Sequence, residues 1–342
     1  MRVLVADAHP SHAAANADAV EALLRVSGAD VRRIAAPPPA AVSQRRKRAF
    51  VRRCIHPGGW AGVELKAQLP LGAAARSPWA GASVVVVSDG PVMAPAQDTT
   101  STLAAGRNTL WVNAQSGDSE SEAQALLAVG AVRSVAGTGP GAEIEIADPI
   151  PYAVLPRSGS RMPDELRQVI RALAAALRGW GVRVTEVAAT TPHLHAYGLV
   201  ELLDLPVALC HSTLRCFLAA ADGRRIAAPL LREGLTHARR QRQELARLPA
   251  HDPRALVAAA RGLRRATDTA EIYAPDRAYG RVLQAWQRGE MPHPATANEL
   301  LMSAASRMGT NPVANGRVVQ LSRRVRTSGF FASPSDLLAA MT

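Results

Sequence analysis

The first 35 residues contain a strand, a helix and a second strand, and this order constrains the fold more than any other feature of the chain. Arg2–Asp7 is a short apolar run typical of a buried β-strand. Apolar residues then recur at helical spacing before Gly28, at Ala17, Val20, Leu23 and Leu24. A second strand-like run covers Asp30–Ala35. This pattern predicts the βαβ unit that begins many nucleotide-binding α/β domains.

The turn after the first strand lacks the glycines with which a Rossmann domain binds a dinucleotide. The G-x-G-x-x-G fingerprint lets the backbone turn tightly and approach a pyrophosphate. Residues 8–17 contain no glycine, and Pro10 has no amide hydrogen to offer a phosphate. If a cofactor still binds here, His12 and Ala14 are the loop residues expected to contact it. Whether the domain binds a dinucleotide is therefore the central functional question.

The second strand ends in two arginines, which favour NADP over NAD. An acidic residue at this point would bind the ribose of NAD, whereas an arginine suits the 2′-phosphate of NADP. Arg32 and Arg33 therefore predict NADP(H) as the cofactor, with two exposed arginines in an arginine-rich chain as the equal alternative. Ser88 follows the third strand-like run, Ala82–Val87, and is a further candidate for contact with the cofactor.

The composition indicates a folded protein that binds a small molecule rather than nucleic acid. With 342 residues, 48% of them hydrophobic, the chain can form two domains with separate cores. A net charge of +12 would suit nucleic acid, but aromatic residues, on which bases stack, make up only 4%. The cluster Arg45–Arg48 is read either as a solvated segment or as an anion site. Cys54, Cys210 and Cys216 are expected to be free thiols.

The sequence predicts neither a membrane span nor a signal peptide. No apolar run approaches the roughly 18 residues that cross a bilayer. The start of the chain, Met1–Val3, enters a strand without the charged and apolar regions of a signal peptide. We therefore expect a cytoplasmic protein with no membrane partner.

Strand and helix signals alternate up to residue 188 and then become almost wholly helical. Strands are predicted at Thr109–Val112, Val132–Ala136 and Val182–Val187, helices at Ser121–Ala128 and Met162–Gly179, and an antiparallel pair at Glu143–Ile146 and Ala153–Leu155. Later helices are predicted at His195–Ala219 (kinked or split at Pro206), Ala228–Leu248, Pro253–Thr267, Asp276–Arg288, Thr296–Met308 and Val313–Arg324. We predict a Rossmann-like α/β domain over 1–188 and an all-α domain over 189–342.

The order of these elements, together with several short segments, resembles the ketopantoate reductase (2-dehydropantoate 2-reductase) family. The segments that carry the likeness are Trp111–Ala114, Gly137–Gly141, Val282–Gln284, Arg288–Gly289, Asn298 and Ala304–Pro312. The resemblance implies a Rossmann domain, a helical domain similar to the C-terminal domain of 6-phosphogluconate dehydrogenase, and an active site between them. It also implies NADP(H) as the cofactor and a homodimer as the assembly.

Several residues that the family uses are replaced in this chain. The family's catalytic lysine would fall in the window Ala196–Asp204, which contains no lysine. Its catalytic glutamate falls at about His293, with Glu290 close enough in sequence to supply a carboxylate. Asn113 is the clearest retained active-site residue, and Asn298 is expected to contact the substrate. The resemblance thus implies a known fold with an altered active site.

A different set of acid/base groups remains near the start of the helical domain. Glu201 and Asp204 are three residues apart and Tyr197 precedes Glu201 by four, so a helix would place them on one face. A carboxylate near His293 could exchange protons close to neutral pH. The alternative is that both acids are simply solvated. Ser116 is interpreted either as a substrate contact or as part of a helix N-cap.

Three functions fit this sequence. The first is a redox-neutral enzyme that cyclises, isomerises or eliminates a small carbonyl or carboxylate metabolite by acid/base chemistry and uses no cofactor. The second is a divergent NADPH-dependent reductase of a 2-oxo acid or related carbonyl. The third is a non-catalytic relative. No metal site is predicted, because His193 and His195 have no third ligand nearby in the sequence.

Overall fold

The structure is a computed structural model that divides into two compact units. It describes residues 1–8, 15–34, 47–53, 60–65, 69, 71–74, 76, 78–88, 90–92, 94, 98–114, 122–129, 131–134, 141–146, 151–159, 162–248, 252–262, 283–284, 286–289 and 293–342. The α/β unit comprises Met1–Asp89 and Pro95–Thr190. The helical unit comprises Gly90–Ala94 and Thr191–Thr342. The short segment Gly90–Ala94 therefore groups with the helices that follow it much later in the chain.

The described part of the α/β unit contains two sheets and four helices. The strands are β1 (Arg2–Asp7), β2 (Asp30–Arg33), β3 (Lys47–Arg53), β4 (Trp60–Leu65), β5 (Ser83–Val87), β6 (Thr109–Val112), β7 (Glu122–Ala128), β8 (Ala131–Ser134), β9 (Gly141–Ile146), β10 (Tyr152–Pro156) and β11 (Arg183–Val187). The helices are α1 (Ala15–Val26), α2 (Leu71–Ala74), α3 (Asp98–Ala104) and α4 (Asp164–Gly179).

The larger sheet has seven strands in the order β11-β10-β7-β6-β5-β1-β2. All neighbouring strands from β2 to β7 are parallel, β10 is antiparallel to β7, and β11 is parallel to β10. Both faces are covered, because Val3 and Val5 belong to one apolar cluster while Leu4 and Ala6 belong to another. A parallel sheet buried on both faces explains the continuous apolar runs of β1 and β5.

Helix α1 is enclosed on all sides. The smaller sheet, in the order β4-β3-β9-β8, contacts α1 along all four strands, and α1 also contacts β1, β2, β5 and α4. Every residue from Ala17 to Leu24 is buried, including Asp18 and Glu21. The sequence predicts an amphipathic helix here, but the second sheet removes the solvent-exposed face. The two acids therefore require partners inside the protein.

Two sequence-based assignments in the α/β unit are wrong. The predicted helix Ser121–Ala128 is strand β7, whose described side chains are almost all buried. A short apolar run that is buried on both faces does not show the alternation of a half-exposed strand, so it resembles a helix. The predicted antiparallel partners Glu143–Ile146 and Ala153–Leu155 lie in different sheets, in β9 and β10. Within the cluster Arg45–Arg48, the last two residues belong to β3.

The described part of the helical unit consists almost entirely of helices. They are α5 (Thr191–Val200), a 3₁₀ turn (Glu201–Leu203), α6 (Asp204–Leu209), α7 (Leu214–Ala219), α8 (Ala221–Arg240), α9 (Pro253–Ala260), α10 (Ala297–Arg307), α11 (Val313–Ser328) and α12 (Pro334–Met341). The long helix predicted over His195–Ala219 is split. Pro206 lies in the first turn of α6, where its missing amide hydrogen costs nothing.

The predicted fold class, a Rossmann-like α/β part followed by a helical part, is confirmed by the seven-stranded, mostly parallel sheet and the helices after it. Much of the predicted helix Asp276–Arg288 lies outside the described residues. Within the part of the chain that the structure describes, no helix has the length and apolar character to span a membrane.

Helix α8 approaches the 3₁₀ turn closely at Gly234, and this contact gives a test of the packing. A Cβ atom at Gly234 would lie 2.5 Å from Leu202 Cδ1 and 2.8 Å from Leu199 Cδ2. We expect Gly234→Ala to lower the free energy of unfolding, measured in urea, by about 1–3 kcal/mol through overpacking. Gly179→Ala is the control, because nothing lies within 4 Å of a Cβ there. Equal losses in both variants would contradict this packing.

Candidate functional site

The carboxyl edge of the parallel sheet is the part of the α/β unit where a ligand is expected. Strand β1 has β2 on one side and β5 on the other, so the chain order reverses there. Ligands of open α/β sheets bind outside the carboxyl ends of the strands at such a switch point. Asp7, Ser88 and Asn113 lie at the ends of β1, β5 and β6. The predicted contacts His12, Ala14 and Ser116 lie outside the described residues.

Asn113 uses its side chain to extend the sheet. Its Nδ2 donates to the Leu127 carbonyl at 2.8 Å, and its Oδ1 accepts from the Leu127 amide at 2.7 Å. The residue has φ 53° and is 5% exposed. Both ends of the amide are therefore engaged by the backbone of β7. The amide thus has a structural role, and the interpretation of Asn113 as a retained active-site residue stays a prediction.

Arg33 is buried in a cluster of charges at the carboxyl end of β1 and β2. Its guanidinium is 4% exposed and donates to the carboxylates of Asp7 and Asp18. Burial lowers the pKa of Arg33, but attraction to Asp7 and Asp18 outweighs it, and the pKa lies above its usual value. One turn along α1, Arg25 pairs with buried Glu21 at 3.0 Å. Both acids that α1 buries thus have an arginine partner from within the unit, although burial still raises the pKa of Glu21.

At this edge, the side chain of Arg33 does not fit the 2′-phosphate of NADP. Arg33, the predicted phosphate ligand, is buried, and its fork is engaged by two carboxylates that would repel a phosphate. The preceding turn offers no glycine for close backbone approach to a pyrophosphate. Arg33 is therefore held by internal ion pairs, and its role in cofactor binding stays a prediction. Arg32 is half-buried, Ser88 is fully buried, and their roles in cofactor binding stay predictions.

Glu201 is a buried carboxyl group in the helical unit. It begins the 3₁₀ turn after α5 and is 8% exposed. The Val92 amide donates to both of its oxygens, at 3.0 Å to Oε2 and 3.3 Å to Oε1. Burial raises the pKa of Glu201 to about 8, although the hydrogen bond from Val92 opposes this shift. At neutral pH the carboxyl group therefore holds a proton that it can donate and take back.

Tyr197 and Asp204, which were predicted to share a helix face with Glu201, lie on either side of it in the sequence. Tyr197 is buried on α5, and Asp204 is half-buried at the start of α6. Burial raises the pKa of Glu201 against the opposing hydrogen bond from Val92, and the charge of Asp204 is not among the causes. The predicted nearness of the two acids on one helix face therefore does not account for the titration of Glu201. The roles of Tyr197 and Asp204 in catalysis stay predictions.

His293 belongs to a separate cluster in the helical unit. Its Nε2 lies 3.1 Å from Ser322 Oγ, and its ring meets Trp286 edge-on with centroids 4.7 Å apart. Its Nδ1 is 3.8 Å from Glu299, which also pairs with Arg323 at 2.8 Å. Burial lowers the pKa of His293; Arg323 also lowers it, whereas Glu299 raises it. Within the described residues Ser322 and Glu299 are polar neighbours of His293, and its predicted partnership with Glu201 and Asp204 stays a prediction. Glu290 lies outside the described residues.

Asn298 holds the turn that carries Glu201. Asn298 is fully buried, and its Nδ2 donates to the Leu202 carbonyl at 3.0 Å and to Asn315 Oδ1 at 2.8 Å. Asn315 in turn donates to Glu233 at 2.6 Å, and Glu233 accepts the first amides of α11. This chain of hydrogen bonds links α8, α10 and α11 to the 3₁₀ turn. Asn298 thus helps to hold this turn in place, and its contact with substrate stays a prediction.

Sequence reasoning missed the partner of Glu201 but had a signal for its burial. Glu201 follows Leu199 and Val200 and precedes Leu202 and Leu203, so it is an acid within an apolar run. Val92 contributes only its backbone amide, and it lies 109 residues before Glu201 in the chain. No residue type at position 92 could have indicated that contact.

The structural role of Arg33 can be tested by removing its buried ion pairs. We expect Arg33→Met to lower the free energy of unfolding by about 3–5 kcal/mol, because Asp7 and Asp18 would remain as uncompensated buried charges. The measurement is urea unfolding followed by circular dichroism. Arg32→Met is the matched control, since Arg32 makes no ion pair within the described residues, and it should cost less than about 1 kcal/mol. Similar losses in both variants would show that Arg33 is not a structural cation.

Comparison with known proteins relates the fold to one group of enzymes. No protein-family model and no curated protein matches the sequence. A PanE/ApbA family ketopantoate reductase from Ralstonia eutropha JMP134 matches in structure with a TM-score of 0.61 and 16% identity, over 96% of this chain and 99% of that one. D-mandelate dehydrogenase with NADH and anilino(oxo)acetate matches with a TM-score of 0.62 and 11% identity, over 96% and 99%. A dimeric ketopantoate reductase from Staphylococcus aureus matches with a TM-score of 0.55 and 9% identity, over 96% and 100%. The resemblance expected from the sequence is therefore confirmed in the fold, which is that of the ketopantoate reductases.

Proposed function

We propose that this protein is an enzyme that transfers protons on a small carbonyl or carboxylate metabolite, with Glu201 as the acid/base group and without net oxidation or reduction. The observation that carries this proposal is the burial of Glu201, with its pKa raised to about 8 and no cation beside it among the described residues. Strongly perturbed carboxyl groups concentrate at functional sites. A carboxyl group with a pKa near the working pH is also an efficient proton carrier.

The chemistry follows from the two protonation states of one carboxyl group. Ionised Glu201 accepts a proton from the carbon next to a carbonyl, and the bonding pair moves onto the carbonyl oxygen as an enolate. Protonated Glu201 returns the proton to the same or another carbon, so atoms and electrons balance without a redox partner. The Val92 amide fixes the orientation of the carboxylate in both steps. Isomerisation, cyclisation and elimination all share this first step.

A nicotinamide-dependent reductase is the second candidate, and the likeness of fold favours it. Two of the similar structures are D-mandelate dehydrogenase complexes that contain NADH. Two features support the redox-neutral proposal instead. The fork of Arg33 is engaged by Asp7 and Asp18, and no lysine follows Lys66 in the chain. The lysine that protonates the carbonyl oxygen in the resembling family therefore has no equivalent in the helical unit.

Isotope exchange tests the proposal directly. Protein in deuterium oxide is incubated with 2-oxobutanoate and 2-oxopentanoate, without any nucleotide, and deuterium at the carbon next to the carbonyl is followed by proton NMR. We expect exchange above the buffer rate that rises with pH and levels off above about pH 8, as Glu201 ionises. Glu201→Gln should abolish exchange, while Glu244→Gln, the same change at another acid of the helical unit, should not.

Calorimetry with NADPH and NADH separates the proposal from its rivals. We expect no binding of either nucleotide at millimolar concentration to protein stripped of ligand, because Arg33 is held by internal ion pairs. Micromolar binding together with oxidation of NADPH by a 2-oxo acid would establish the reductase instead. If the protein shows no isotope exchange and binds no nucleotide, a non-catalytic relative is favoured.

The pH dependence of stability gives an independent check on Glu201. Its folded-state pKa is raised from 4.5 to about 8, so the folded state binds the proton more tightly than the unfolded state. Wild-type stability therefore falls, relative to Glu201→Gln, as pH rises from about 4.5 to about 8. Urea unfolding at about pH 5 and about pH 9 measures the difference between the two proteins. The same difference at both values would contradict the raised pKa.

A further inference from the structure

A second candidate site lies in the α/β unit, in a cavity beside the edge strand β11. The cavity has a volume of about 310 Å³ and lies between α4 and the ends of β10 and β11. Arg157 and Ser158, which follow β10, form one wall, and Arg171 and Arg178 of α4 form another. Ile170 and Ala174 are almost completely buried and form an apolar floor.

The charges around this cavity do not cancel. Arg178 pairs with Glu186 of β11 at 2.8 Å, and Glu186 is the one acid among the described residues that line the cavity. The side chains of Arg157 and Arg171 make no hydrogen bond or ion pair with any residue that the structure describes. Two guanidinium groups and the Ser158 hydroxyl therefore line the same space without protein acceptors, and the local charge is positive.

We propose that this cavity binds a small organic dianion, of which a phosphate monoester is the best match. A guanidinium presents paired donors in a planar fork that suits phosphate or carboxylate oxygens. Two such groups match two negative charges, and the floor of Ile170 and Ala174 accepts an apolar substituent. The volume lies at the lower end of the range for small-molecule sites, which begins at about 300 Å³. The site is separate from Glu201 and does not depend on the proposed reaction.

Binding of phenyl phosphate to the full-length protein tests this site. Phosphorus NMR or calorimetry at low salt should give one site, with inorganic phosphate binding more weakly because it does not use the apolar floor. Arg157→Gln and Arg171→Gln should each weaken binding by about tenfold or more. Arg167→Gln is the matched control, because it removes the same charge from α4 at a residue that does not line the cavity.

A change in the opposite direction sharpens the test. Glu186→Gln removes the acid that neutralises Arg178, so it should tighten the binding of phenyl phosphate severalfold. Succinate in place of phenyl phosphate distinguishes a dicarboxylate site from a phosphate site. An equal loss in Arg167→Gln, or unchanged binding in Arg157→Gln and Arg171→Gln, would show only general attraction to a basic protein and overturn the proposal. Each outcome is independent of isotope exchange at Glu201.

Discussion

The need to neutralise charges that lie away from water organises the α/β unit. Helix α1 is enclosed by two sheets and α4, yet it carries Asp18 and Glu21. Arg33 from β2 and Arg25 from α1 itself supply the counter-charges, and Asp7 from β1 completes the cluster. Burying an unpaired ion lowers the stability of the folded state by several kcal/mol, in order of magnitude. Because the ion pairs join α1 to β1 and β2, these three elements depend on one another. Arg33, which lies at the edge of the sheet where ligands usually bind, therefore has a structural role.

The helical unit meets the same constraint in a different way. Glu201 is buried like the acids of α1, but no arginine pairs with it in the part of the chain described. A carboxyl group in that position keeps its proton to near pH 8 rather than remain an unpaired ion. Pairing yields a fixed charge that stabilises a structure, whereas protonation leaves a group that still titrates. This difference is why chemistry is sought at Glu201 and not at Asp7 or Asp18.

The sequence predicted elements whose pattern is local and failed where burial depends on distant segments. The apolar runs of β1 and β5 and the helical periodicity of α4 were sufficient to place those elements. Strand β7 was mistaken for a helix because β6 and β10 pair with its two edges and both of its faces are covered. At the site, Glu201 could be chosen as an acid in an apolar run. Its contact with Val92 and the ion pairs of Arg33 join residues far apart in sequence, which composition and spacing do not reveal.

Asn113 shows how a side chain can replace backbone at the end of a strand. Its amide continues the pairing with β7 at Leu127, although its own backbone, with φ 53°, has already left the strand conformation. The hydrogen-bonded edge of the sheet is thus longer than the strand that supports it. The chain is free to change direction at residue 113 without leaving the Leu127 amide and carbonyl unsatisfied. The pairing at Leu127 therefore depends on the side chain of residue 113 and not on the backbone that comes after it.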